Sequence, residues 1–198
     1  MKPYSESCDQ NCNPILEIIQ PLFSGCSQLL EVGSGTGQHA VYFAQQIPHL
    51  TWHTSDRREN HSGISMWLNE AALPNTRLPL ALDVSHDHWP EQQFDAVFSA
   101  NSVHIMCWQD VESMFAGVGQ VLNEGGIFAL YGPFNYKGKF TSESNARFDE
   151  WLKQRDPLSG VRDFEALDQL ARQAGMQLLN DDEMPANNRI LSWVKNSP

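Results

Sequence analysis

The feature that most constrains the fold of this chain is a stretch of alternating glycines at residues 31–37, Glu31-Val32-Gly33-Ser34-Gly35-Thr36-Gly37. It follows an apolar run at residues 28–32 and leads into residues 39–44, which continue as a helix. Glycine lets the backbone turn sharply and approach a ligand where a Cβ would collide. The free N–H groups at the start of the helix suit a carboxylate or a phosphate. The stretch therefore predicts a strand, a ligand-binding turn and a helix.

Short apolar runs alternate with helical patterns along the rest of the chain, as in a parallel sheet covered by helices. Pro79 places the third strand at a sheet edge or a strand start. Residues 132–144 are expected to form a polar loop that carries function. Because no linker or repeat interrupts this pattern, residues 1–198 are expected to form one α/β domain. Strands are predicted at residues 28–32, 50–54, 78–82, 94–99, 127–131, 176–180 and 189–194, and helices near 39–44, 64–73, 109–122 and 163–174.

The charge balance argues against a nucleic-acid partner. The chain has 24 acidic and 13 basic side chains and a net charge of -11, so most of its surface would repel a phosphate backbone. No run approaches the roughly 20 apolar residues that span a bilayer, and residues 1–14 lack the apolar core of a signal peptide. We therefore expect a cytoplasmic protein without a membrane partner. Its four cysteines are then expected to be free thiols, and no metal site is predicted.

Two details of the glycine stretch separate classes of nucleotide ligand. The dinucleotide fingerprint G-x-G-x-x-G needs a glycine at position 38, where this chain has Gln38. Glu31 lies inside the strand, where its carboxylate would repel a pyrophosphate but tolerate a cationic amino-acid ligand. These details favour a sulfonium nucleoside over NAD, so an NAD-dependent oxidoreductase is the weaker alternative.

Two further acidic residues follow predicted strands. Asp56, about 20 residues beyond the glycines, is placed to accept both hydroxyls of a ribose. Asp83 and the N–H of Val84 are placed to bind the amino group and ring of adenine. Alternatively, each aspartate could cap a helix or stabilise a turn. For Asp83 taken alone, the sequence favours ligand binding and a turn equally. The position of Glu31, Asp56 and Asp83 at three successive strand ends favours the ligand-binding reading.

This order of motifs resembles that of class I S-adenosylmethionine-dependent methyltransferases. Further segments make the chain similar to one family in particular, whose animal members are called methyltransferase-like 26. The resemblance covers nearly the whole chain, and its segments begin at Pro14, Gly33, Ser99, Tyr131, Arg155 and Met184.

The resemblance implies a Rossmann-like, seven-stranded, mostly parallel sheet with one antiparallel edge strand and helices on both faces. It also implies that the chain binds S-adenosylmethionine and transfers its methyl group. The glycines would wrap the methionine part, Asp56 would bind the ribose, and Asp83 with Val84 would bind the adenine. The start of the segment at 99–101 would lie beside the methyl group. The implied cofactor-binding residues are Glu31, Gly33, Ser34, Gly35, Gly37, Asp56, Asp83, Val84, Ser99, Ala100 and Asn101.

The methyl acceptor is expected to be a small molecule, since the Asn-Pro-Pro-Tyr/Phe signature of nucleic-acid methylation is absent. Three residues at predicted strand ends are candidates for catalysis. His104 has the ordinary pKa of a general base near neutrality, and its alternative is a satisfied, partly buried histidine. Tyr131 would orient the acceptor, or it would only pack against its neighbours. Asn135 would orient the acceptor, or it would cap a turn.

Residues 4–13 are polar and have no strand or helix pattern. We expect residues 1–13 to fold over the cofactor as a lid, although most polar termini are frayed tails. A non-catalytic protein that binds S-adenosylmethionine on the same fold is the alternative to an enzyme. The oligomeric state stays open.

Overall fold

The computed structural model describes residues 2–197. Within that range there are six α-helices, α1 (Glu6–Leu22), α2 (Gln38–Gln46), α3 (His61–Ala71), α4 (Trp108–Val121), α5 (Glu143–Arg155) and α6 (Phe164–Gln173). The same residues form nine strands, β1 (Gln28–Val32), β2 (Thr51–Asp56), β3 (Thr76–Ala81), β4 (Phe94–Ala100), β5 (Leu122–Gly132), β6 (Phe134–Asn135), β7 (Arg162–Asp163), β8 (Met176–Met184) and β9 (Asn188–Lys195).

Seven of these strands form one sheet in the order β3-β2-β1-β4-β5-β9-β8. The pairs from β3 to β5 are parallel, and β9 runs antiparallel to both β5 and β8. Antiparallel pairing is thus confined to one side of the sheet. Strand β3, which contains Pro79, lies at the opposite edge as predicted. The expected Rossmann-like, mostly parallel seven-stranded sheet is confirmed.

The chain reverses its direction of travel across the sheet after β3. It leaves that edge and returns on the other side of β1 as β4. At such a switch point the connections leave in opposite directions, so a crevice opens at the carboxyl ends of the two strands. The glycine stretch follows β1 at this point.

Helices cover both faces of the sheet, as the alternation of strands and helices requires. Under α1, α2 and α3, the rings of Phe43, Trp52 and Phe98 contact one another with centroids 5.5 to 5.9 Å apart. Under α4 and α6, Phe128 and Trp193 stack at 5.5 Å. These two apolar layers hold the central strands and keep their carboxyl ends in fixed positions. Within the described range, the helices all lack the length and apolarity that crossing a membrane requires.

Two helices differ from the sequence-based expectation. Residues 6–13, which have no helical pattern, form the first part of α1, because Ile15 and Ile19 bury the helix against the sheet. Helix α5 was not predicted, since the residues it buries include the polar Asn145 and Asp149. Its start is capped by Ser142, whose hydroxyl accepts the N–H of Asn145 at 3.1 Å.

Candidate functional site

A cavity of about 350 Å³ opens at the switch point, within the size range of small-molecule sites. Its wall combines the start of α1, the glycine stretch and the segments that follow β2, β3 and β4. Eight of the eleven predicted binding residues line it: Gly33, Ser34, Gly35, Asp56, Asp83, Val84, Ala100 and Asn101.

The glycine stretch is pinned to the end of β2. Gly33 and Ser34 donate their N–H groups to the carbonyl of Ser55, at 3.1 and 2.9 Å, and Gly35 donates to Asp56 Oδ2 at 2.7 Å. Gly33 and Gly35 have φ of +75° and +58°, in the left-handed region that favours glycine. The turn is therefore preformed, with its backbone on the cavity wall.

Glu31 lies directly behind this wall. It is buried, and its Oε2 accepts hydrogen bonds from Ser34 Oγ at 2.8 Å and from Trp52 Nε1 at 3.1 Å. Burial and the negative charge of Asp56 raise the pKa of its carboxyl to about 7, against the opposing effect of the two hydrogen-bond donors. A cation in the cavity would favour the ionised form of Glu31.

Asp56 and Asp83 both line the cavity, and both also hold the backbone around them. Asp56 Oδ1 accepts the N–H of Arg57 at 2.7 Å and the Asn60 side chain at 2.8 Å. Asp83 Oδ1 accepts the N–H of Ser85 at 3.2 Å, which is a turn of the kind offered as its alternative role. A carboxylate oxygen has two lone pairs, so these bonds are compatible with accepting a ligand's hydroxyl or amino group as well.

Two other predicted residues lie behind the cavity wall. Ser99 is fully buried, and its hydroxyl bonds to the carbonyl of Val32 at 2.6 Å and to Ser102 Oγ at 2.6 Å. Gly37 is packed against the backbone of Ile64. Both residues shape the wall from behind rather than facing the cavity.

The three predicted catalytic residues are buried and none of them lines the cavity. His104 follows β4, Tyr131 lies near the end of β5, and Asn135 lies in β6. Burial, together with the positive charge of Arg162, lowers the pKa of His104 to about 4. Burial raises the pKa of Tyr131, whose hydroxyl is hydrogen-bonded by the side chains of Asn11 and Asn188. Asn135 donates from Nδ2 to the carbonyl of Val161 at 3.4 Å.

Ser5, Ser7 and Cys8 reach the cavity from α1 and the residue before it, more than 20 positions ahead of the glycines. They lie in the segment that was expected to form a lid. His39 and Asn60 follow β1 and β2 on the wall and had no signal in the sequence. The remaining wall residues that were not predicted are Val32, Thr36, Arg57, Leu82, Ser102, Ile105, Met106 and Asp110.

Several solved structures that share this fold are named as methyltransferases. The apo form of the S-adenosylmethionine-dependent methyltransferase SibL matches 96% of this chain at 20% identity, with a TM-score of 0.81 and 56% of that chain covered. Human N-acetylserotonin methyltransferase in complex with SAM matches 97% at 14% identity, with a TM-score of 0.81 and 53% of that chain covered. An O-methyltransferase family protein from Burkholderia thailandensis matches 96% at 12% identity, with a TM-score of 0.79 and 59% of that chain covered.

The sheet order, the glycine turn and these likenesses define the class I methyltransferase fold. At such identities the likeness shows the fold, and the chain spans only somewhat more than half the length of the structures it matches. Residues 2–195 match the family model described as "Protein of unknown function (DUF938)", and the chain belongs to that family.

Proposed function

We propose that this protein transfers a methyl group from S-adenosylmethionine to a small-molecule acceptor. The observation that carries the proposal is the convergence of the glycine turn, Asp56 and Asp83 on one cavity at the switch point of the sheet. Open α/β sheets bind their ligands at such a point. The cofactor itself is supported by the likeness to methyltransferases that are named for it.

The charges on the cavity wall favour this cofactor over a dinucleotide. The wall carries the carboxylates of Asp56, Asp83 and Asp110 against the single guanidinium of Arg57, and Glu31 lies just behind it. S-adenosylmethionine has a sulfonium and an ammonium group, whereas NAD has an anionic pyrophosphate. A mostly acidic wall attracts the former and repels the latter.

In this proposal the preformed glycine turn holds the methionine part of the cofactor. Asp56 accepts hydrogen bonds from the ribose, and Asp83 with the Val84 N–H binds the adenine. Asn101, at the end of β4, lies beside the methyl group. Its φ of +55° is unusual for a residue other than glycine, and strained backbone of this kind is concentrated at functional sites.

Methyl transfer needs the acceptor aligned with the activated carbon and, for an acceptor that carries a proton, a base. His104 is assigned the base, because its low pKa keeps the imidazole neutral near pH 7, with one ring nitrogen unprotonated. Tyr131 and Asn135 are assigned the orientation of the acceptor. These roles are part of the proposal.

The start of the chain is proposed to be a lid over the cofactor. Ser5, Ser7 and Cys8 form one side of the cavity, so a molecule inside would lie between α1 and the glycine turn. The N–H of Ser5 donates to Gln38 Oε1 at 2.6 Å, and Trp67 Nε1 donates to the carbonyl of Pro3 at 2.7 Å. These contacts hold the lid in the closed position.

We also propose that the protein is related to the methyltransferase-like 26 proteins. We propose further that it is cytoplasmic and that it does not bind nucleic acid. A non-catalytic protein that binds the same cofactor would share the cavity. It would differ in transferring no methyl group, so binding and transfer need separate measurements.

Calorimetry with S-adenosylmethionine tests the cofactor, with NAD as the control ligand. We expect micromolar binding by the full chain, of the order of −8 kcal/mol, and loss of most of it in Asp56→Ala. Asp182→Ala, on the far strand β8, is the matched control and should bind as the unsubstituted protein does. Equal or tighter binding of NAD, or no binding of either ligand, would overturn the proposed function.

A further inference from the structure

Gly132, the last residue of β5, leaves a small space above its α-carbon. A Cβ built there would lie 3.8 Å from His104 Nδ1, 3.8 Å from Phe134 Cζ and 4.0 Å from Asn101 Oδ1. The φ of Gly132 is outside the left-handed region, so its backbone conformation does not require glycine. What glycine provides at this position is room. We call the space bounded by Asn101, His104, Gly132, Phe134 and Asn135 the acceptor corner.

Two side chains of the acceptor corner have buried polar atoms without partners. His104 and Asn135 are 4% and 8% exposed, and His104 Nδ1 and Asn135 Oδ1 have no hydrogen-bond partner among residues 2–197. Leaving such an atom unpaired costs about 1–3 kcal/mol. Buried polar groups of folded proteins are paired almost without exception, so these atoms call for a partner that is not part of the chain.

One backbone segment is hydrogen-bonded to both residues, to the main chain of His104 and to the side chain of Asn135. The N–H of Gly160 donates to the carbonyl of His104 at 2.9 Å. The next residue, Val161, accepts the Asn135 amide. Both unpaired atoms therefore belong to residues that contact the same segment, and the Asn135 amide nitrogen is already bonded to it.

The acceptor corner adjoins the cofactor cavity. Asn101 bounds the space above Gly132 and also lines the cavity. Two aromatic rings border the corner, because Cζ of the buried Phe134 approaches Gly132 and the Phe148 ring contacts His104 edge to face at 5.2 Å. The positive charge of Arg162 also acts on His104. A ligand that reached the corner from the cavity would contact apolar side chains around the unpaired polar atoms of His104 and Asn135.

We propose that the acceptor corner binds the neutral hydroxyl group of an apolar methyl acceptor, which donates its hydrogen bond to His104 Nδ1. A carboxylate would place its lone pairs against those of the imidazole and of Asn135 Oδ1. An ammonium would lose its hydration among aromatic rings without a counter-charge, which is costly. A neutral hydroxyl supplies the missing donor and carries no charge into the site. This inference rests on the proposed methyl transfer.

The step that follows balances in atoms and electrons. The hydroxyl oxygen forms a bond to the methyl carbon as the carbon–sulfur bond breaks, and the electron pair of that bond stays on the sulfur. The hydroxyl proton passes to His104 Nδ1. The products are a methyl ether, S-adenosylhomocysteine and a protonated imidazole, which then releases its proton to solvent.

The test is nitrogen NMR of the full chain labelled with ¹⁵N-histidine, with S-adenosylhomocysteine present so that no transfer occurs. Four probes of one size are titrated: phenol, benzyl alcohol, benzoate and benzylammonium. The His104 resonances are assigned from their loss in His104→Gln. Gly132→Ala fills the corner with a methyl group at ordinary contact distances. Gly25→Ala is its matched control, because a Cβ there meets no atom within 4 Å.

We expect phenol or benzyl alcohol to move the His104 Nδ1 resonance and the two charged probes to leave it unchanged. Gly132→Ala should weaken that response at least about 10-fold in apparent Kd, which is 1.4 kcal/mol, whereas Gly25→Ala should preserve it. No response to either hydroxyl probe, an equal response to benzoate, or an unaltered response in Gly132→Ala would overturn the inference. Calorimetry with S-adenosylmethionine reports on the proposed function separately, so failure of one is distinguishable from failure of the other.

Discussion

At the scale of single residues, Glu31 shows how position changes the chemistry of a common side chain. Its folded-state pKa of about 7 lies above the ordinary value of 4.5. A carboxyl whose pKa is raised in the folded state favours folding below about pH 4.5, and this contribution is lost as the pH rises through 7. The ionised form is therefore costly in the empty protein, and a cationic ligand relieves that cost.

We predict that binding of S-adenosylmethionine releases protons near neutral pH. The positive charges of the cofactor lower the pKa of Glu31, so affinity should rise between pH 6 and pH 8 and level off above that. Calorimetry in buffers of different ionisation enthalpy measures the number of protons released.

Glu31→Gln is the matched variant for this prediction, since the amide keeps the shape of the side chain without its titration. It should bind with an affinity that no longer varies over this pH range. Proton release of the same size in Glu31→Gln would show that another group is responsible.

At the scale of elements, the loop between β4 and α4 is held by one side chain from the other end of the chain. Arg162 Nε donates to the carbonyl of Val103 at 3.1 Å, and its Nη2 donates to the carbonyls of Met106 and of Leu158, the latter at 2.8 Å. The backbone on both sides of His104 is thus fixed by a single guanidinium.

We predict that Arg162→Met lowers the free energy of unfolding by about 2–4 kcal/mol, because several hydrogen bonds from a charged donor are lost together. It should also raise the pKa of His104, since Arg162 disfavours the protonated imidazole. Urea unfolding measures the first effect and ¹⁵N-histidine titration the second.

Arg147→Met is the control for Arg162, because Arg147 makes an exposed ion pair with Glu143 one helical turn away. It should change stability by less than about 1 kcal/mol and leave the pKa of His104 unchanged. An unaltered pKa in Arg162→Met would mean that the arginine supports the loop without influencing the histidine.

The contact between α1 and α2 depends on Gln38, the residue that departs from the dinucleotide fingerprint. Its side chain accepts the N–H of Ser5 and donates to the Ser5 carbonyl at 3.2 Å and to Asp9 Oδ1 at 3.0 Å. A glycine at this position, as in the dinucleotide fingerprint, would leave the start of α1 without these three bonds.

We predict that Gln38→Ala releases bound S-adenosylmethionine about 10-fold faster, because loss of these bonds makes opening of the lid easier by about 1.4 kcal/mol. Stopped-flow displacement by S-adenosylhomocysteine measures the rate. Gln46→Ala, exposed at the end of the same helix, should release the cofactor at the original rate. If both variants behave alike, the start of α1 is a fixed wall rather than a lid.

At the scale of the whole molecule, the seven strands of the main sheet were predictable, whereas two helices and the short strands β6 and β7 were not. The central strands β1 and β4 are mostly apolar and buried, and that local pattern is visible in the sequence alone. Helix α5 buries Asn145 and Asp149 instead of an apolar face, and Asp149 accepts the N–H of Val161 at 2.8 Å. The burial of α5 depends on hydrogen bonds to residues elsewhere in the chain, so no local sequence pattern predicts this helix.

The sequence by itself determined the class of fold and the position of the ligand cavity, because a glycine turn between a strand and a helix is a local feature. It also marked Asp56 and Asp83, which follow strands whose carboxyl ends must meet. Only the tertiary structure decided that the segment expected to be a lid is the start of a helix packed against the sheet, and that Gly132 opens a space beside His104. These relations join atoms far apart in the chain, and whether a glycine serves a turn or makes room depends on what packs against it.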